Sequence, residues 1–114
     1  MTLDTLNWKD CIKQSNDKPD LAQQLLDMLA LELPDFKQHI STSLQKNDIK
    51  QLHFHAHKLH GACCYCGANQ LKSLLHELEN NIESWSPTVL LQKTRHILDE
   101  IDAVAHIIKT KQYK

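Results

Sequence analysis

Hydrophobic residues return every three or four positions along nearly the whole chain, and nothing alternates with period two over a useful length. The first such stretch predicts a short helix from Thr5 to Ser15, with Leu6, Trp8 and Ile12 partly buried. Asn16 or Asp17 is placed to cap the next helix, with Pro19 in its first turn, where a missing N–H costs little. Leu21, Ala22, Leu25, Met28 and Leu29 then mark a buried stripe, and Phe36, Ile40 and Leu44 carry it on past Pro34, where a kink or a break is expected. Lys46-Asn47-Asp48 reads as a turn and a cap, after which Ile49, Leu52, Ala56, Leu59 and Cys63 define another apolar face. Gly67 ends that helix, and Leu71, Leu74, Leu75, Leu78 and Ile82 define the next. Ser86-Pro87 starts the last helix, striped by Leu90, Thr94, Ile97, Leu98, Ile101, Val104, Ala105 and Ile108. The expected fold is all-α: an antiparallel up-down four-helix bundle with one or two short accessory N-terminal helices. One domain spanning 1–114 is expected, its bundle core at about 32–111, and Trp8 and Trp85 are expected to cover the bundle's ends.

Composition narrows the function classes. A formal net charge of −1 and a pI near 6.7 give no reason to expect nucleic-acid or anionic-membrane binding. Leu3, Leu6 and Ile12 sit among polar residues, so no signal peptide is expected, and no apolar run approaches the roughly 20 residues that span a bilayer. Of the four cysteines, Cys63, Cys64 and Cys66 are too close together for ordinary disulfide geometry with one another, and Cys11 stands apart. A reduced, cytoplasmic setting is the simpler reading.

Chemistry concentrates between His53 and Gly67, which holds four of the eight histidines. On a helix advancing about 100° per residue, Lys50, Phe54, His57, Lys58, Gly61 and Tyr65 fall on an outward sector, with His53, His60 and Cys64 along its boundary with the core face. Phe54 and Tyr65 stand where charges are expected, which suggests a contact surface. Gly61 follows His57 by one turn on the same face, although glycine costs roughly 1 kcal/mol against alanine in a helix. Its outward placement favours access to the imidazole over close helix packing.

His57-Lys58-Leu59-His60-Gly61-Ala62, followed by Gly67-Ala68, resembles the signature of histidine phosphotransfer (HPt) domains, His-x-Leu-Lys-Gly-Ala/Ser with a second glycine further on. The likeness extends to Asn47-Asp48, to Leu71 through Glu79, and upstream to Pro19-Asp20-Leu21 and Leu33-Pro34. The family commonly carries lysine where this chain has His60, and the His-Lys-Leu-His-Gly variant looks like the HPt domain that ends BarA-type hybrid sensor kinases. The resemblance implies that His57 is the phosphoacceptor through its Nε2, that His60 and Lys58 balance the added charge, and that Glu79 steadies the imidazole. Phe54, Tyr65 and Lys50 would belong to the docking surface. The partners it implies are the receiver domain of a hybrid kinase and a response regulator. The partner supplies the aspartate and Mg²⁺, and this chain binds no cofactor itself. A monomeric carrier without its own kinase site is expected, since Gly61 and Gly67 form no phosphate-cradling loop. It would lie in the cytoplasm, without direct membrane contact, even as the tail of an inner-membrane sensor kinase.

Two other classes compete. His53, His57 and His60 at i, i+4 and i+7, with Cys64 following, are residue types that Zn²⁺ or Cu⁺ prefers. Four ligands along one straight helix face cannot converge tetrahedrally, and Cys63-Cys64-Tyr65-Cys66 lacks the paired Cys-x-x-Cys spacing of structural zinc sites. Cys63 and Cys66 read more simply as small core residues, leaving Cys64 as the one candidate for a reactive thiol. The second class is a non-phosphorylated interaction module, against which the retention of His57 with Gly61 argues. His39, His55, His76, His96 and His106 read as surface or boundary residues, with His76 one turn before Glu79.

Overall fold

A computed structural model describes residues 4–114, so Leu3 lies outside the described residues. Five helices follow in order: α1 (Trp8–Gln14), α2 (Pro19–Gln45), α3 (Ile49–Cys63), α4 (Asn69–Asn81) and α5 (Pro87–Thr110), with no strand among the described residues. Local chemistry sets several of these boundaries. The side chains of Asn7, Asp48 and Ser86 accept hydrogen bonds from the backbone N–H groups of Asp10, Gln51 and Val89 respectively, satisfying donors that each helix start leaves open. Asn47, just before α3, takes the left-handed conformation (φ 53°), tolerable for asparagine and suited to a three-residue connection.

Helix α2 packs against α3 and α5, and α4 packs against the same two, so the four long helices close a ring around one core. Connections of three to five residues force consecutive helices to run antiparallel. Leu26, Leu33, Ile40, Leu52, Leu59, Leu71, Leu75, Leu78, Ile97 and Ile101 are fully buried at its centre. The apolar faces expected for α3, α4 and α5 are those that pack, with Leu74, Leu98 and Ala105 at the edge of the core.

Helix α1 is the accessory element. It lies against α2 and ties down the α3–α4 connection. The N–H of Asn7 donates to the carbonyl of Gly67 (2.8 Å), the N–H of Gly67 donates to the sulfur of Cys11 (3.2 Å), and Asn69 donates to Asp10 (2.8 Å). At the same end, Trp8 meets Tyr113 with ring centroids 5.3 Å apart, and Tyr113 donates its hydroxyl to Gln23 (2.8 Å).

Four expectations need correction. The first helix is shorter than Thr5–Ser15, because Asn7 caps it and Ser15 closes it. Neither Asn16 nor Asp17 caps α2; both adopt positive φ in the turn between the helices, and Lys18 stands at the cap position without a side-chain bond. Pro34 does not break α2, which runs 27 residues through it. Pro34 is exposed, so its ring points away from the packed side, and the buried Leu33 and Ile40 hold the helix to the core on both sides of it. Met28 is 57% exposed rather than part of the core stripe, and Leu26 and Leu33 occupy the centre instead. Leu21, Leu25, Phe36 and Leu44 sit at the core's margin, partly buried.

Candidate functional site

His57 lies in the middle of α3, on the face opposite Leu52, Ala56 and Leu59, and its side chain is 76% exposed. Across from it on α4, Glu79 is held on the margin between core and solvent, 14% exposed. One carboxylate oxygen lies 3.3 Å from Nδ1 of His57 and the other 3.3 Å from Nδ1 of His60. The second approach is a hydrogen bond; the first lacks the alignment of one, so the buried Glu79 Oε1 has no hydrogen-bond partner. A carboxylate only accepts, so the His60 ring bonds to it through Nδ1–H. Nε2 of His57 lies on the side of the ring away from Glu79.

Gly61, one turn further on, is exposed, and a methyl placed on it would meet nothing within 4 Å. No packing requirement therefore accounts for glycine there, whereas a clear approach to the imidazole does. His60 is 20% exposed and turned towards α4, where it shares a shallow hollow with Asn69, Lys72, Ser73 and His76. The rings of His60 and His76 meet edge to face at 5.9 Å, so the exposed His76 does adjoin the site.

The other expected residues divide by position. Lys58 and Phe54 form a pair beside His57, the ammonium 5.2 Å from the ring centroid. Tyr65, past the end of α3, is exposed and lines an apolar groove with Leu25, Met28, Leu29, Ala62 and Cys66. Lys50 is exposed in the first turn of α3, about two turns from His57, and does not adjoin it. His53 and Cys64 are exposed, and among the described residues no three His, Cys, Asp or Glu side chains gather as metal ligands would. Cys11, Cys63 and Cys66 are buried and unpaired. Burial pushes the thiol of Cys11 up, that of Cys63 well up and that of Cys66 to about 12, which makes all three poor nucleophiles.

Two features went unread in the sequence. Leu31 on α2 is exposed alongside Met28, as its position off the Leu26–Leu29–Leu33 stripe could have indicated. His39 and His55 stack across the α2–α3 seam, ring centroids 4.5 Å apart, and burial with the nearby His39 and Lys58 lowers the proton affinity of His55.

A four-helix ring with an exposed histidine on one helix, a carboxylate braced behind it and an open glycine one turn on defines a histidine phosphotransfer domain. The chain belongs to the Hpt domain family, whose sequence profile matches residues 24–109, and it is a module of two-component phosphorelay signalling. It is 33% identical over 102 residues to the signal transduction histidine-protein kinase BarA of Escherichia coli, covering 89% of this chain. The sensor histidine kinase GacS of Pseudomonas protegens is 29% identical over 108 residues, 95% of the chain. In both cases the chain spans about 11% of the length of the curated relative. The crystal structure of the HPT domain from a sensor hybrid histidine kinase of Shewanella superposes with a TM-score of 0.84 at 37% identity, covering 93% of this chain and 92% of that one. The fold also matches the histidine-containing phosphotransfer protein HptB of Pseudomonas aeruginosa, with a TM-score of 0.80 at 20% identity and 96% of each chain covered. No helix among the described residues is long and apolar enough to cross a membrane.

Proposed function

We propose that His57 is the phosphoacceptor, taking a phosphoryl group on Nε2 from the aspartyl phosphate of a hybrid kinase's receiver domain and passing it to an aspartate of a response regulator. The observation that carries this reading is the exposed imidazole with its Nδ1 set 3.3 Å from Glu79 and open space around Gly61. Phosphoryl transfer needs in-line positioning and charge stabilisation more than covalent help. The receiver brings the aspartate and its Mg²⁺; this chain brings an oriented nucleophile, and His60 and Lys58 offset the incoming charge.

Phe54, Tyr65 and Lys50 serve docking, and the exposed Met28 and the groove beneath Tyr65 extend that surface onto α2. The chain acts as one cytoplasmic, monomeric module over 1–114, without a kinase site, a cofactor, nucleic acid or direct membrane contact, as part of a hybrid sensor kinase. The test is transfer from a radiolabelled, aspartyl-phosphorylated receiver to wild type and to His57→Gln. Acid-labile, alkali-stable label on wild type alone supports the reading. No transfer from several receivers, with zinc found in the purified protein, would put metal binding by the histidine row in its place.

A further inference from the structure

We propose that His39 and His55 form a bidentate site for a divalent transition ion of the Zn²⁺ class, clamping α2 to α3 across their seam. The site lies apart from His57 and takes no part in transfer, so it stands independently of the phosphotransfer reading.

The two rings come from different helices and lie face to face, their centroids 4.5 Å apart and their planes within 6° of parallel. Two Zn–N bonds of about 2.0–2.1 Å, set at a tetrahedral angle, place their nitrogens roughly 3.4 Å apart. Small side-chain rotations therefore bring one nitrogen of each ring onto a shared ion. The backbone beneath both rings is fixed. Ile40, next to His39, and Ala56, next to His55, are fully buried, and the hydroxyl of Ser43 donates to the carbonyl of His39 at 2.7 Å. Core packing of two helices, rather than a loop, sets the spacing of the ligands.

The chemistry of the pair also suits an ion. His39 is exposed and His55 half-buried, so both reach solvent. His60 is bonded to Glu79 and His76 to Asn80, whereas neither ring of this pair hydrogen-bonds to another side chain among the described residues. Burial, together with the neighbouring His39 and Lys58, lowers the proton affinity of His55, which favours the neutral ring that a metal requires. Glu32, Asp35 and Lys58 line the hollow on one side of the pair, and Asp48 and Lys46 the hollow on the other. Three carboxylates against two ammonium groups leave these surroundings mildly anionic. Among the described residues no third His, Cys, Asp or Glu completes the set, so water fills the other positions of the ion. Imidazole ligands select a transition ion over Mg²⁺ or Ca²⁺, which take oxygen. An ion bound to the folded chain alone stabilises it and pins the seam next to the paired Phe54 and Lys58.

The test is a titration of the whole chain with zinc chloride in phosphate-free buffer at about pH 7.5, where imidazole is mostly neutral, read by NMR of the histidine rings. The resonances of His39 and His55 should move first and together, saturating at one ion per chain, and magnesium chloride should move neither. His39→Gln and His55→Gln should each lose that saturation, and His53→Gln should keep it. The thermal midpoint of wild type should rise by about 10 °C at about a hundredfold excess of zinc over its dissociation constant, and that of His55→Gln should stay in place. No saturable shift at His39 and His55, first movement at His53, His57 or His60, one ion shared by two chains, or an equal thermal gain in His55→Gln overturns the inference. Each of these leaves the phosphotransfer reading standing. The NMR arm needs wild type alone, so a variant that fails to fold does not protect the proposal.

Discussion

Gly61 and Gly67 are six residues apart and put the same absent side chain to opposite uses. Around Gly61 there is open space, and the missing side chain keeps one side of His57 clear. At Gly67 a Cβ would run into the Asn7 carbonyl and crowd the Cys11 sulfur, so the missing side chain lets α1 close onto the α3–α4 connection. Neither glycine has positive φ. Backbone freedom is therefore not what selects either of them. The contrast is between a space kept empty for another molecule and one filled by the chain itself.

The largest effect should come from filling the closed one. Gly67→Val must displace Asn7 and Cys11, and overpacking of this kind costs roughly 1–3 kcal/mol. A fall in thermal midpoint on the order of 10 °C is expected, with faster hydrogen exchange in α1 and phosphotransfer retained at temperatures where the bundle is folded. A Gly67→Val protein as stable as wild type would mean that α1 docks loosely. Filling the open site should instead impair transfer. Gly61→Leu puts a branched side chain beside the imidazole, and transfer from a receiver should slow by about tenfold or more while the denaturation curve stays close to wild type. Unchanged rates would remove access as the reason for that glycine.

Smaller effects sharpen the comparison. Gly61→Ala clashes with nothing and should raise stability by about 1 kcal/mol through helix propensity, measurable as a higher urea midpoint with unchanged slope. Near Gly67, the buried thiols carry a modest pH signature. Burial holds Cys63 and Cys66 above their unfolded values, the latter at about 12. Their contribution is fully present below roughly pH 8.5, where an unfolded thiol stays protonated. Above that the unfolded chain binds fewer protons than the native one, so stability should fall with rising pH. A Cys63→Ala, Cys66→Ala variant should show a flatter alkaline decline in urea titrations between pH 8 and 10.

Much of the fold was legible because α3, α4 and α5 each offer one apolar stripe. Helix α2 was harder. Its first half holds Leu21, Leu25, Leu26, Leu29, Leu31 and Leu33, enough leucines to support more than one phase, and packing against α3 and α5 decides for Leu26 and Leu33 over Met28. At Pro34 only the break, of the kink or break expected, is excluded, since core contacts on both sides carry the helix past one missing N–H. The outward placement of His57 and Gly61 followed from helical periodicity alone. The pairing of His57 and His60 through Glu79 did not, because it depends on how α3 and α4 are rotated against each other. The seat of α1 on Gly67 was invisible for the same reason, as a contact between segments 56 residues apart.

The ring of helices also divides labour between its members. His57, His60, Gly61 and Glu79 lie on α3 and α4, and the exposed apolar residues beside them extend onto α2. Helix α5 closes the ring against α2 and α4 and contributes no residue to the site or the groove. It is a buttress, held to its neighbours by its buried stripe. Its solvent face, away from the ion pairs Lys37–Asp102 and Lys93–Glu77, is the natural place to attach a fluorophore or an affinity tag without touching transfer.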